Sequence, residues 1–467
     1  MFIDKDLLGQ QEDIELFNNI GCLDALEGRL TVWLTINQTP RVRWEFEAAR
    51  GDYTYDSLSF DPPKKLASWN GSDPRLVVEQ PTFTFRGGRR RQSIGYAEQV
   101  LYGNVSADAH YFDFYLPNAD FIRKATGGDL EAITNALKDE SFKVEIGNDW
   151  SIEIFTNQEA LDWLKPENQN RGSMIALKIR LYQTKQASTS IQNLSVKSLI
   201  EARKLISDLC LMLSYINGGY INPVYVIAKK FVENGTDQIS IEDVAALAEA
   251  PLIVAQEEVG EGCIRFFGIK DLLDFIKCFP CFQRMLQTPH WREKWFVLLE
   301  WYFQAIPRAF GRRRNVSPPV VANALGTLLE NLARLVLEND ESDSTKQQAK
   351  KREFDKMSEG RKAAQSQGYS GAAEYNIDTL LNRIGISSER KSVTDFVSIR
   401  NKATHASSRT TKLSDIEQGE VIYRAIQWVN EVILWRLGYT GLYGERSLYS
   451  DQGIQPRYDI SQRDSIW

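Results

Sequence analysis

The residues best suited to chemistry lie in the stretch 399–406, which reads Ile-Arg-Asn-Lys-Ala-Thr-His-Ala. It contains one of only three histidines in the 467-residue chain. Asn401 and His405 are four residues apart, so they would share one face of a helix. Arg400 and His405 would point about 140° apart, so they can meet only through the reach of the arginine or at a break in the helix. The stretch therefore places an imidazole, a permanent cation and an amide near one another at a predicted helix end.

These side-chain types suit proton transfer beside a phosphate group. Histidine titrates near neutral pH and can act as a base or an acid, whereas arginine stays charged and binds phosphate oxygens through a planar fork. Lys402 adds a donor suited to phosphate, and Thr404 is a further supporting candidate. The plain alternative is a helix-end ion pair beside a surface histidine.

The chain around this motif is predicted to be helical from about residue 289. The sequence Pro318-Pro319 is predicted to open a helix, because apolar residues then recur with a period of 3.6 as far as residue 336. Residues 375–384 and 393–404 are predicted to form two shorter helices. Ser414 and Glu417 have capping-box spacing, so a long final helix should begin there and stop at Gly438. The polar segment 340–370 is predicted to be a solvated helix or a mobile insertion.

Residues from about 20 to 190 are predicted to form an antiparallel β domain, either a sandwich or an open barrel. Apolar and polar residues alternate there in short runs that Gly, Asn, Asp and Pro separate, and a short helix is expected at 128–138. Asn148-Asp149 is typical of a hairpin turn. The predicted strands cover residues 30–36, 42–47, 77–85, 94–105, 111–116, 143–146, 151–155 and 175–182.

The fold class predicted from these patterns is α+β, with a β-rich domain at 1–190 followed by an all-α helical domain at 289–442. Residues 191–288 are predicted to be mixed and mainly helical, associated with the β-rich domain, with a strand at 224–227 and helices at 199–216, 242–250 and 269–276. Residues 443–467 have no periodicity and are predicted to be a tail that is partly disordered or lies over the surface.

Composition limits the classes of function. The net charge of −6 disfavours a protein that coats nucleic acid, since such proteins are usually basic. The content of 43% hydrophobic and 25% charged residues is normal for a soluble globular protein. No apolar run approaches the roughly 20 residues that span a bilayer, and no secretory signal is expected. Five cysteines, an odd number, suggest reduced thiols and a cytoplasmic location. No Gly-rich phosphate loop and no nucleophile elbow supports an ATPase, a dehydrogenase or a hydrolase.

Other clusters each have a functional and a structural interpretation. The basic loop of Arg312, Arg313 and Arg314 could bind an RNA backbone, or it is merely solvated. The segment 86–91 is a ligand-contacting loop or a mobile turn. Cys278 and Cys281 have CxxC spacing but lack a second pair for zinc, so two helix-end thiols are favoured. His110 and His290 each stand alone and are predicted to be structural.

The motif and its surroundings resemble the HEPN superfamily, whose ribonucleases carry an arginine, four to six residues, and then a histidine. Four residues separate Arg400 from His405, and a polar residue follows the arginine. A predicted helix bearing Glu330 precedes the motif, and a long helix follows it. The layout is most similar to ApeA-type HEPN proteins, in which a β-rich N-terminal domain precedes the helical one. The resemblance covers roughly residues 291–443.

This resemblance implies an endoribonuclease that cleaves RNA, such as tRNA or mRNA, by attack of the 2′-hydroxyl and leaves a 2′,3′-cyclic phosphate. Arg400, Asn401 and His405 would be catalytic, and Glu330 would brace Arg400 unless it is a solvent-facing glutamate. The resemblance further implies a homodimer through the helical domain, anti-phage defence by abortive infection, and gating by the N-terminal domain, where a phage-derived or other ligand would act. No metal and no cofactor is expected. The alternatives are a non-catalytic HEPN scaffold that binds nucleotide or protein, and a ligand-binding module centred on the β domain.

Overall fold

A computed structural model provides the three-dimensional structure. The predicted helix at 128–138 and most of the segment 340–370 lie outside the residues that it describes. The described residues are 6–23, 26–36, 40–49, 67–68, 75–77, 92–122, 142–146, 150–163, 173–183, 197–234, 238–250, 264, 266, 268–288, 291–310, 318–339, 366–369, 371–386, 390–404, 413–445 and 453–454.

The chain divides into two compact units. The first comprises Met1–Asp120, Leu130–Leu213 and Tyr220–Gln256, and the second comprises Phe121–Asp129, Ser214–Gly219 and Glu257–Trp467. Antiparallel sheets dominate the first unit and helices dominate the second, which confirms the predicted α+β class with strands preceding helices. No helix in the described parts of either unit combines the length and apolar character needed to cross a membrane.

The described part of the first unit consists of antiparallel strands and two helices. Its described elements are β1 (Ile14–Leu23), β2 (Leu26–Thr35), β3 (Arg41–Ala48), β4 (Ala67–Ser68), β5 (Arg75–Val77), β6 (Gln92–Ala97), β7 (Gln99–Gly103), β8 (Asp108–Ala109), β9 (Tyr111–Pro117), β10 (Lys143–Glu145), β11 (Trp150–Phe155), α1 (Gln158–Trp163), β12 (Ile175–Gln183), β13 (Lys197–Ser198), α2 (Leu199–Asn217), which ends in the second unit, β14 (Tyr225–Asn234) and β15 (Gln238–Glu249).

These strands form two main sheets that enclose one core. One has the order β1-β2-β3-β6, and the other has the order β10-β11-β12-β9-β14-β15-β7-β5-β4. Alternation within β3 buries Val42, Trp44 and Phe46 on one face. These side chains belong to the same buried cluster as Tyr115 and Ile227 of the larger sheet. The arrangement corresponds to the sandwich option predicted from the alternating sequence.

The segment 242–250 corrects one expectation, because it is a strand and not a helix. β15 pairs with β14 on one side and with β7 on the other. Ala245 and Leu247, like Ala246 and Ala248, are almost fully buried, so both faces of the strand are covered. Its Glu, Ala and Leu residues favour a helix locally, but hydrogen bonding to two neighbouring strands and burial outweigh that preference.

The second unit is a set of helices arranged around one central member. Its described elements are α3 (Ile269–Ile276), α4 (Phe279–Gln287), α5 (Trp291–Phe310), α6 (Pro318–Asn339), α7 (Ala372–Arg383), α8 (Arg390–Thr404), α9 (Asp415–Leu437), β16 (Tyr443–Gly444) and β17 (Gly453–Ile454). The central helix α6 packs against α5, α7, α8 and α9. It begins at the Pro318-Pro319 pair as the sequence predicts, since proline is tolerated in a first helical turn.

The boundaries of the units differ from the predicted ones. Helices α3 and α4, which the sequence predicts to associate with the β-rich domain, belong to the second unit. One physical reason is that Phe282 of α4 packs edge-on against Trp295 of α5, with ring centroids 5.1 Å apart. The predicted tail also begins inside this unit, because Tyr443 is buried and forms a β-bridge with Phe266.

Helix α9 has the start and the end that its sequence predicts. The backbone N–H of Glu417 donates to the hydroxyl of Ser414, and the backbone N–H of Ser414 donates to the Glu417 carboxylate. At the other end Gly438 adopts φ 80°, a left-handed conformation that glycine reaches without strain. Both ends of the longest described helix of the unit are therefore encoded locally.

We predict that Ser414→Ala lowers the thermal unfolding midpoint by about 2–4 °C, because the first turn of α9 loses its side-chain acceptor. The measurement is helical circular dichroism during heating. Ser414→Asn is the matched control and should retain most of the stability, since asparagine also caps helices. An equal loss in both variants would contradict the capping explanation.

Candidate functional site

Arg400 and Glu330 form a two-point ion pair that joins α8 to the central helix α6. Nη1 of Arg400 lies 3.0 Å from Oε1 of Glu330, and Nη2 donates to Oε2 at 3.1 Å. The two terminal nitrogens thus face the two carboxylate oxygens in parallel, the strong fork geometry of arginine–carboxylate pairs. Two residues that are 70 positions apart in sequence are thereby fixed in one place.

The sequence of α6 explains why the pair forms there. Asn323, Thr327, Glu330 and Arg334 follow one another at spacings of four, three and four, so they share one face of the helix. These positions are partly or fully exposed, whereas the apolar positions around them are buried. Among these four residues only Glu330 is acidic, so it is the counter-ion available to an arginine that crosses this part of the helix.

Gly326 lies one turn before Glu330, directly beneath the side chain of Arg400. A Cβ at position 326 would lie 2.6 Å from Cδ and 2.7 Å from Nε of Arg400. Such distances are shorter than van der Waals contact, so the glycine leaves the space that the arginine occupies. The only sequence signal for this arrangement is a glycine inside an otherwise apolar helical pattern.

Most of the surface of both side chains in the pair is buried. Its side chain is 17% exposed and that of Glu330 is 29% exposed. Nε of Arg400 is buried and has no hydrogen-bond partner among the residues that the structure describes. Because a guanidinium has five N–H groups, one N–H on each terminal nitrogen is left for another acceptor after Glu330 has bound.

The remaining candidates of the motif occupy the last turn of α8. Asn401 and Lys402 are partly buried there, and Thr404 is the last residue of the helix. His405 follows immediately in sequence but lies outside the described residues, as do Arg312, Arg313, Arg314 and the side chain of Thr404. Of the predicted site residues, the structure therefore brings Arg400 and Glu330 into contact and leaves the position of the imidazole open.

Two further polar contacts fix the orientation of α8. The hydroxyl of Thr394 donates to Oε1 of Glu374 on α7 at 2.6 Å. Nη1 of Arg424 on α9 donates to the hydroxyl of Ser392 at 2.6 Å. Glu374 and Ser392 are buried, so breaking either bond would leave a buried polar group without its partner and would cost free energy. Contacts to α6, α7 and α9 together hold the helix that carries the motif.

Other predicted features have structural partners. The thiol of Cys278 donates to the carbonyl of Asp274, and Nη2 of Arg284 donates to the sulfur of Cys281 at 3.1 Å. Both cysteines lie at the start of α4, where the sequence predicts helix-end thiols. In the part of the chain that the structure describes, no group of three or more His, Cys, Asp and Glu side chains is arranged to hold a metal ion.

His110 accepts a hydrogen bond at Nδ1 from the backbone N–H of Phe231, at 3.1 Å. The imidazole ring also packs against the Phe231 ring, with centroids 5.5 Å apart. Burial and the nearby Lys230 ammonium lower the pKa of His110. These contacts agree with the structural role that the sequence predicts for His110.

Comparison with known proteins adds no relative. The chain matches no protein-family model, no curated protein and no solved structure.

We predict that Glu330→Gln lowers the free energy of unfolding by about 1–3 kcal/mol, because the buried part of the Arg400 guanidinium loses its charged partner. Urea unfolding monitored by circular dichroism measures the change. Glu300→Gln, at an exposed position of α5, is the matched control and should change stability by less than about 0.5 kcal/mol. Equal effects of the two substitutions would show that the ion pair adds nothing to stability.

The stability of the protein should also depend on pH through His110. The pKa of this group is lower in the folded protein than its usual 6.5, so the folded state binds fewer protons than the unfolded state. The contribution is therefore complete above pH 6.5 and is lost as the pH falls through the folded-state value. His110→Asn, which retains an acceptor but does not titrate, should reduce the slope of unfolding free energy against pH between about 5 and 7. An unchanged slope would contradict the assignment.

Proposed function

We propose that this protein is a metal-independent endoribonuclease of the HEPN type. Its active site would comprise Arg400, Asn401 and His405, with Glu330 supporting the arginine. The observation that carries the proposal is the Arg400–Glu330 pair, since it fixes a cation five residues before a histidine at the end of a well-anchored helix. A cation held in this way needs little reorganisation when negative charge develops next to it.

The proposed reaction uses the 2′-hydroxyl of the RNA as the nucleophile. A base removes the 2′ proton, the 2′ oxygen attacks phosphorus, and the bond from phosphorus to the 5′ oxygen breaks. An acid then gives a proton to the leaving 5′ oxygen, so the products are a 2′,3′-cyclic phosphate and a 5′-hydroxyl. His405 is suited to both proton transfers, because its side chain titrates near neutral pH.

Arg400 and Asn401 would stabilise the negative charge on the oxygens bound to phosphorus, and Asn401 could also orient the imidazole. Each terminal nitrogen of Arg400 retains one N–H beyond its bond to Glu330, and these are the donors a phosphate oxygen would accept from. Lys402 and Thr404 would supply further donors, and the Arg312, Arg313 and Arg314 loop would bind the RNA backbone.

One histidine cannot easily serve as base and acid in the same step. A homodimer through the helical unit would solve this, because two copies of the motif could share one groove. We propose further that the β-rich unit gates the nuclease in response to a viral cue, as a defence by abortive infection. The experiment that bears on this part is expression of the wild type and of His405→Ala in cells, followed by sequencing of RNA ends during phage infection.

The decisive test is RNA cleavage by purified wild type and His405→Ala. The variant should lose cleavage by at least about 10²-fold while its thermal unfolding stays unchanged, because proton transfer contributes that much to rate. Cleavage by the wild type should persist in EDTA and leave 2′,3′-cyclic ends. His290→Ala is the control for loss of an imidazole outside the motif.

Equal cleavage by the wild type and His405→Ala would refute the assigned site. If neither protein cleaves RNA but both bind it or a partner protein, the non-catalytic scaffold is the correct interpretation.

A further inference from the structure

The backbone conformation at position 326 does not require glycine. Glycine is among the least favourable residues in a helix interior, and α6 continues for more than a dozen residues after it. The described glycines with a left-handed backbone are Gly9, Gly103, Gly218, Gly368, Gly385 and Gly438, and Gly326 is not one of them. A reason for glycine at this position must therefore come from its surroundings.

The atoms nearest to a Cβ at position 326 all belong to the middle of the Arg400 side chain. A Cβ at position 326 would lie 2.6 Å from Cδ, 2.7 Å from Nε and 3.2 Å from Cγ of Arg400. These atoms lie between the α8 backbone and the guanidinium, whose two terminal nitrogens are bound to Glu330. They cannot swing away as the free end of a flexible side chain could, because the ion pair fixes the far end.

We propose that Gly326 is a positioning residue for Arg400. Its missing Cβ lets the arginine lie flat across α6, so that Glu330 one turn later can bind both terminal nitrogens. Gly326 and Glu330 together determine where the guanidinium lies and which of its N–H groups remain available. We call these two residues the seat of Arg400. Any consequence for catalysis rests on the ribonuclease proposed above, whereas the seat itself does not.

A double-mutant cycle tests the seat by the sign of its effect. Gly326→Ala should lower the thermal unfolding midpoint by roughly 2–10 °C, because the new methyl group overlaps Arg400. In an Arg400→Ala background the same substitution should raise the midpoint by about 2–4 °C, since only the better helix propensity of alanine is left. A fall of similar size in both backgrounds, or a rise in both, would overturn the proposal.

A second measurement separates positioning from general destabilisation. In the wild-type background Glu330→Gln should lower the midpoint, but in a Gly326→Ala background it should have little further effect, because the ion pair is already displaced. Undiminished sensitivity to Glu330→Gln in the Gly326→Ala protein would mean that Arg400 keeps its place without the glycine.

Cleavage kinetics distinguish failure of the seat from failure of the proposed function. If the chain is a ribonuclease, Gly326→Ala should reduce kcat by about 10²-fold below the unfolding temperature with little change in KM, because the cation is misplaced and not removed. An unchanged kcat together with the expected stability cycle would confine the seat to folding and overturn its catalytic role. If the wild type does not cleave RNA, the proposed function fails, and the stability cycle alone still decides whether the seat exists.

Discussion

The burial of α6 is the constraint on which the helical unit depends. Leu325, Leu328, Leu329, Leu332 and Val336 are almost completely inaccessible to solvent, and their spacing places them on one face of the helix. Such an apolar face must be covered, and α5, α7, α8 and α9 pack against this helix. Each of these buried side chains contributes about 1.5–3 kcal/mol, so the five together outweigh any single polar contact in the unit. On the polar stripe that remains, Glu330 of α6 meets Arg400 of α8 through charge.

The Arg400–Glu330 pair follows from that geometry. An arginine that is largely removed from water needs a counter-ion, and the polar stripe of α6 supplies one carboxylate. Gly326 has no Cβ that would overlap the Arg400 side chain where it crosses α6. The pair stabilises the fold to a limited extent, but it defines the direction of a charge near the end of α8.

The β-rich unit follows a different rule. Its larger sheet is covered on both faces near the centre, so β9 and β15 bury residues on both sides and the sequence there loses clean alternation. A charge at the centre of this sheet is accepted only as a pair, as Asp113 and Arg180 show with Nε donating to Oδ1 at 2.7 Å. The middle of this sheet therefore consists of buried apolar residues and paired charges, and any ligand recognition by the unit stays a proposal.

The sequence by itself determined the features that depend on neighbours in the chain. The alternating β3, the capping box at Ser414, the helix end at Gly438 and the proline start of α6 could all be predicted, because local hydrogen bonds and side-chain periodicity decide them. It also identified Arg400 and Glu330 as candidates. Only the tertiary structure decided that 242–250 is a strand, since two neighbouring strands satisfy its backbone. Only the tertiary structure placed Gly326 against Arg400, because the two residues are 74 positions apart in the sequence and meet only when α6 and α8 pack together.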